Sequence, residues 1–510
     1  MPLLTELGRL CRGGYKDLAL TPQEKLTDHS FSPSFVCMDA RALMLRAIYC
    51  EEGNLRYSPE PKLGRIITSD EQTGNAACTH SRSVNPRRHP GLLLVSTAVA
   101  LVAVFGLRHS KAETRDSGDW IETWTASPQP IWSAEFFAPI NIPRSLRNQT
   151  VRQIATISLG GNRVRVVLSN EYGSEPLIIG AANVAVAGKD GAIVAGSDRA
   201  LTFSGQTTVT IPPGAPVISD PVELKVEPLS ELAVSLFLPE ITPLTTFHWE
   251  GVQTAYISPE GNFVADTGIK ADSTIKSRLF LSAIMVDAPA GARAIVTFGD
   301  SITDGANSTP DANHRWPDFL ARRLAQAGGP PIAVLNEGIS GARVLRDRMG
   351  VNALARFDRD VLSHPHADTV ILMMGINDIG WPGCILAPRE EAPSANDIID
   401  GYKQLIARAH FHGMRIIGAT LTPFEDTFKG NPIEGYYNPE KEKTREAVND
   451  WIRLSGAFDG VIDFDAATRD PNRPTHILAK YDSGDHLHPQ DDGYKAMADS
   501  VDLKMLSTKP

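Results

Sequence analysis

The sequence predicts an α/β protein in two folded parts, a β-sandwich or jelly-roll domain over residues 118–287 and a parallel sheet covered by helices on both faces over residues 291–510. Three observations predict it. Between residues 151 and 238, short runs of β-branched and apolar residues recur between turn-forming clusters, the punctuation of an all-β domain. From residue 291 the pattern changes to continuous apolar runs that alternate with amphipathic helical stretches, which is how buried parallel strands and their crossover helices read. Each of those apolar runs gives way to Gly, Ser, Asn or Asp, the residue types found where ligands meet the carboxyl ends of such strands.

Residues 1–86 carry no sustained periodicity and no motif, and are expected to be a disordered or untranslated extension. The uncharged run "GLLLVSTAVALVAVFGL" at 91–107 follows Arg87, Arg88 and His89, and small residues occupy Ser110 and Ala112. A basic flank, an apolar stretch and small residues in the cleavage register make residues 87–112 a signal peptide, or a membrane anchor if the segment stays uncleaved. Such a segment belongs at a chain start. The sequence therefore predicts that translation begins downstream, at Val84, and that the product is secreted or held in the cell envelope.

Within 118–287 the expected strands are "VRQIATISL" (151–159), "RVRVVLSN" (163–170), "QTTVTI" (206–211) and "ELAVSLFL" (231–238), several alternating polar and apolar positions. Gly160-Gly161-Asn162, Gly188-Lys189-Asp190-Gly191 and Pro212-Pro213-Gly214 supply turns. Trp120, Trp124 and Trp132 are read as core or interdomain packing. Beyond residue 291, "RAIVTFGD", "IAVLNEGISG", "TVILMMGIND", "MRIIGATLTP" and "GVIDFDAA" are five strands, while "WPDFLARRLAQAG" (316–328) and "IIDGYKQLIARAHFHG" are helices.

Composition narrows the function classes. A chain of 510 residues with 42% hydrophobic and 22% charged residues is of folded type, and a net charge of −10 gives nucleic-acid binding no electrostatic support. Of five cysteines, Cys11, Cys37, Cys50 and Cys78 precede the apolar segment without metal-ligand spacing, and only Cys384 follows it, with no catalytic role expected. Neither a metal nor another cofactor is implied.

Four stretches carry the chemistry: "GDSITDG" (299–305), "NEGISGAR" (336–343), "GIND" (375–378) and "DHLHP" (485–489). A serine hydroxyl is scarcely ionised near neutrality, so a nucleophilic Ser301 needs a base within reach. The three-residue spacing of Asp485 and His488 lets one turn carry both groups, so that the carboxylate can accept from the imidazole and fix its tautomer. His486 could in principle ligate a metal through His-x-His, but no further ligand is apparent nearby, so it is read as a pocket-lining or locally bonded residue. Asp300, Asp304 and Asp378 are expected to hold turns through backbone hydrogen bonds. The chain lacks G-x-S-x-G, which argues against the nucleophile elbow of α/β-hydrolases.

In order and spacing the four blocks resemble the SGNH (GDSL-type) hydrolases, a family of esterases and lipases, over residues 291–510. The resemblance implies a flavodoxin-like three-layer α/β/α fold and a metal-independent acyl-enzyme mechanism. It makes Ser301, His488 and Asp485 catalytic, and gives the oxyanion hole to Ser301 N–H, Gly341 N–H and the Asn377 amide. Ile302 departs from the family pattern by replacing leucine, a volume-conserving change. The β-rich region with "WIETWTASPQ" looks like the leading domain of secreted members. The implied substrate is a short-chain acyl ester or an acetylated carbohydrate; a lipase or phospholipase of the same family, or an inactive glycan-binding protein, is the alternative. The loop "IGWPGCILAPREEAPSAND" after Asn377 could shape the acyl or alcohol pocket through Trp381, Ile385 and Leu386.

Overall fold

The computed structural model describes residues 119–507 apart from 133–135, 137, 288 and 432. The expected extension at 1–86, the export segment at 87–112 and the first four cysteines lie outside the described residues. No helix among the described residues is long and apolar enough to cross a membrane.

The sheet of the carboxyl-terminal half has five parallel strands, β1 (Arg293–Gly299), β2 (Ile332–Gly338), β3 (Ala367–Met373), β4 (Arg415–Ala419) and β5 (Gly460–Ile462). Their spatial order is β2-β1-β3-β4-β5, the doubly wound order that reverses between β1 and β3. Side-chain alternation along β1 shows why two helical layers are needed. Ile295 points into a buried cluster with Trp316 and Leu320 of helix α2 (Trp316–Ala327), and with Tyr494 and Met497 of helix α5 (Asp491–Ser500). Ala294, Val296 and Phe298 point to the other side, into a cluster with Tyr402 and Leu405 of helix α3 (Ala395–Phe411) and Val448 of helix α4 (Pro439–Leu454). A strand buried at every position must be covered twice.

The β-rich region forms two larger antiparallel sheets. In one, Gly161–Ser169 pairs with Leu281–Asp287, which pairs with Trp120–Thr125; in the other, Gln149–Thr156 lies between Ala255–Glu260 and Glu231–Leu238. Val166, Ile284, Val151, Val234 and Leu236 from both sheets belong to the same buried cluster as Val296 and Tyr402. The described residues accordingly fall within one compact unit. The expected strand at 206–211 contracts to Val209–Ile211, paired with Leu177–Ile179. Trp124 and Trp132 are buried as expected, whereas Trp120 is half-buried beneath Arg163 and Arg165.

Strand β2 is the edge of the parallel sheet, and an open edge invites non-native pairing. Here the β-rich region covers it. Val334 N–H donates to Ser158 Oγ at 3.0 Å, and Thr125 Oγ1 donates to Asn336 O at 3.4 Å.

Candidate active site

Three strand ends stand level, with Gly299 of β1 in register with Gly338 of β2 and Met373 of β3. Arg356 ties two of them, donating to Gly299 O at 3.0 Å and Glu337 O at 2.9 Å while pairing with buried Asp360 at 2.6 Å. From this platform "GDS" leaves β1 and turns at once into the short helix α1 (Ser301–Asp304). Asp300 caps it, accepting from Ile302 N–H at 3.1 Å, and Gly305 ends it in the left-handed region at φ 98°. The helix sits directly on the neighbouring strand end: a Cβ on Gly338 would lie 2.3 Å from Asp304 N, so only glycine permits that approach.

Ser301, His488 and Asp485 meet, although the serine and histidine stand 187 residues apart. Ser301 Oγ donates to His488 Nε2 at 2.8 Å, and His488 Nδ1 donates to Asp485 Oδ2 at 2.7 Å. The remaining acceptor capacity of Asp485 is filled by the N–H groups of Leu487 (2.9 Å) and His488 (2.8 Å), by Ser483 Oγ (3.2 Å) and by Asn307 Nδ2 (2.8 Å). Burial alone would raise the Asp485 carboxyl; His488 and these donors outweigh it and hold it well below the usual carboxylate range. The loop bearing them is pinned from outside, with Phe428 N–H donating to Asp485 O at 3.1 Å and Thr427 Oγ1 to His486 O at 3.0 Å.

Asn377 lies in the short helix Ile376–Gly380 that follows β3, in a fixed orientation. Its Oδ1 accepts from Trp381 Nε1 at 2.9 Å and Tyr436 OH at 2.8 Å, so that atom must be the oxygen. One N–H of Nδ2 donates to Ala342 O at 3.0 Å, leaving the other to donate elsewhere. Gly341 has φ 75°, and a Cβ there would stand 2.5 Å from Met349 Sδ and 3.0 Å from Trp381 Cζ2. Among the described residues, neither Ser301 N–H nor Gly341 N–H donates to a protein acceptor.

The other residues singled out in the sequence take local roles. Asp378 accepts from Val344 N–H (2.7 Å) and Leu345 N–H (3.0 Å), and burial pushes its carboxyl up to about 6. Asp300 is wholly buried and rises to about 7 for the same reason. A carboxyl that resists ionisation suits a place beside a reaction that generates negative charge. His486 bonds to Asp482 through both its Nδ1 and its backbone N–H. In the loop after Asn377, Trp381, Cys384 and Leu386 are buried while Ile385 is 46% exposed. Glu425, Asp426 and His476 bring potential ligand atoms within 4.8 Å of one another, but Lys429 (2.9 Å) and Arg473 (3.7 Å) already compensate Asp426. That cluster is a salt-bridge network.

Sequence reasoning missed the β-rich region's own contribution. Buried His248 donates from Nε2 to Asp304 Oδ1 at 3.0 Å and from Nδ1 to Ser127 O at 3.0 Å. Asp304 Oδ2 in turn accepts Ser340 N–H at 2.9 Å, beside Gly341. Both imidazole nitrogens thus face acceptors, the arrangement of an imidazolium paired with a carboxylate. Burial opposes charge on His248, but Asp304 outweighs it and raises its pKa. Replacing His248 with leucine should strand a buried carboxylate and cost about 3–5 kcal/mol of stability, measured by urea denaturation; His248→Leu with Asp304→Asn should recover part of the loss.

The electrostatics also fix a pH dependence. Burial lowers the His488 pKa, but Asp485, then Asp300 and Glu250, raise it overall above 6.5. A base must be unprotonated, so kcat/KM for an ester is expected to climb as pH rises through the raised pKa of His488. Glu250, whose half-buried carboxyl is pushed up to about 7 by desolvation, becomes negative as pH rises through that value and holds the proton on His488 longer. Glu250→Gln should therefore move the acid limb of the kcat/KM profile to lower pH; a limb that stays in place or moves upward contradicts this coupling.

A three-layer α/β fold with a bonded serine, histidine and aspartate at its strand ends is the construction of serine-type acyl hydrolases. Residues 295–501 match the family described as GDSL-like Lipase/Acylhydrolase, and this part of the chain is a domain of that family. Among solved structures, the chain is similar to a lipase/acylhydrolase from Enterococcus faecalis, at 22% identity over 41% of this chain and 92% of that one, with a TM-score of 0.32. It is also similar to a carbohydrate acetylesterase family member from Sinorhizobium meliloti, at 18% identity over 42% and 100% of the two chains, with a TM-score of 0.31. A GDSL-like lipase from Bacteroides thetaiotaomicron shows 16% identity over 42% and 88%, with a TM-score of 0.30. A search of curated proteins found no match.

Proposed function

We propose that the protein is a secreted serine esterase that hydrolyses carboxylic esters of short acyl groups, including acetylated carbohydrates, through an acyl-enzyme. The observation that carries the reading is the unbroken chain Ser301 Oγ–His488 Nε2 at 2.8 Å and His488 Nδ1–Asp485 Oδ2 at 2.7 Å. Ser301 Oγ attacks the ester carbonyl while His488 takes its proton, and Asp485 stabilises the imidazolium without itself taking a proton. Ser301 N–H, Gly341 N–H and the free N–H of Asn377 receive the tetrahedral oxyanion. His488 then gives the proton to the leaving alcohol; water enters, loses a proton to His488 and releases the acid.

Two features support the finer parts of the reading. Met349 and Trp381 close against Gly341, which favours a small acyl group over a long chain. The β-rich region, read as a β-sandwich, shares the buried cluster of the catalytic half and suits a support as much as a separate binding module. Export rests on the composition of residues 87–112 alone.

A fluorophosphonate probe tests the chemistry, since it labels an activated serine; mass spectrometry should find the adduct on the peptide containing Ser301. A series of p-nitrophenyl esters run beside acetylated xylan tests the substrate, with acetate and butyrate esters expected to turn over faster than dodecanoate. No adduct and no turnover would leave the inactive glycan-binding reading standing.

A further inference from the structure

Asp304 also forms part of the wall of a cavity of about 420 Å³ that neither Ser301 nor His488 lines. Its walls come from both halves of the protein, with Thr156, His248 and Arg278 on one side and Asp304 and Arg315 on the other. Arg278 is 1% exposed and the Arg315 side chain 11% exposed, so two guanidinium groups are withdrawn from water here. They converge on Gly251: its carbonyl accepts from Arg315 Nη2, and a Cβ built on it would lie 3.2 Å from Arg278 Nε.

Like charges brought together in a buried place call for a counter-charge. Among the described residues, no carboxylate comes within hydrogen-bond distance of either guanidinium. Arg278 donates to Ile154 O at 2.5 Å and Gln253 Oε1 at 3.4 Å, both neutral, and lies over Trp124. Arg315 comes no nearer to Asp318 than 3.9 Å. The cavity's other carboxylates are engaged elsewhere, Asp304 with His248 and Ser340, and Glu231 with the amides of Asn313 (3.1 Å) and Gln253 (3.4 Å). Two polar atoms on cavity-lining residues, Arg315 Nε and Thr156 Oγ1, are buried and have no hydrogen-bond partner among the described residues. Burial, and then the Arg315 charge, depress Arg278 to about 9, outweighing the opposing pull of Asp311 and Asp318.

We propose that this cavity is a binding site for a small oxyanion, a carboxylate or a phosphate, held between Arg278 and Arg315 with Thr156 Oγ1 as a further donor. The assignment is independent of the esterase reading, because Arg278, Arg315 and Thr156 make no hydrogen bond with Ser301, His488 or Asn377. Isothermal titration of the full chain with sodium acetate and, separately, inorganic phosphate tests it at constant ionic strength in chloride. One anion per chain is expected, and the arm that gives heat identifies a carboxylate or a phosphate. Arg315→Met and Thr156→Val should each weaken binding, the first at least about tenfold as a charged hydrogen-bond donor is lost, whereas Asn377→Ala should leave it unchanged. Arg278→Met should abolish binding, and if that variant does not fold the other two still decide. No heat from either salt, or binding that Asn377→Ala weakens and Arg315→Met does not, overturns the proposal.

Discussion

Ser301→Ala is expected to lower kcat for p-nitrophenyl acetate on the order of 10⁴–10⁶-fold with little change in KM. The hydroxyl is 2.8 Å from His488 Nε2, and no other hydroxyl among the described residues bonds to that imidazole nitrogen. His488→Ala should cost about as much, because an unactivated serine is nearly as inert as an absent one. The double variant should be no slower than either single one, the non-additivity of groups that act as a unit. Circular dichroism should show all three folded, because α1 keeps its Asp300 cap and Gly305 terminus without the serine hydroxyl. Retention of a tenth of the activity by Ser301→Ala would remove the nucleophile from the scheme.

What could be read in advance follows from the range of the interactions. The five parallel strands were legible as continuous apolar runs, and at β1 and β3 the run ends in Gly-Asp or Gly-Ile-Asn, which carries both the burial and its end in adjacent residues. The fifth is shorter than its text suggests: Asp463 caps a helix by accepting Ala466 N–H, so "GVIDFDAA" yields three strand residues and a turn of helix. Ser301 and Asn377 stand where apolar runs stop, whereas the roles of Asn377 and His488 came from the resemblance of the four blocks to a known family. His248 offered no such signal. A lone histidine in "TFHWEG" reads as an ordinary strand residue, and its meaning comes from Asp304, 56 positions away. The same holds for Asn307 and Asp485, separated by 178 residues. Alternation says which side chains are buried but not what covers them. The shared cluster between the β-rich region and the parallel sheet was therefore invisible, and the two looked like separate domains.

Asn377→Ala is expected to lower kcat about 10²–10³-fold while leaving KM nearly unchanged, since a donor aimed at the oxyanion binds the transition state and not the ester. The direction of the amide is what makes the size of the effect predictable. Trp381 Nε1 and Tyr436 OH both donate to Asn377 Oδ1, at 2.9 and 2.8 Å, so the NH₂ cannot turn away without leaving two buried donors unsatisfied. Trp381→Phe removes one of those locks, leaves the other and should lower kcat by a smaller factor. Asn377→Asp, close in shape, should be worse than alanine wherever the aspartate is ionised, because it sets an anion against a developing anion. Its residual activity should therefore fall further as pH rises through that carboxyl's pKa, whereas the alanine variant should keep the wild-type acid limb set by His488. If the three variants lose activity equally, or lose it through KM, Asn377 serves the loop and not the oxyanion.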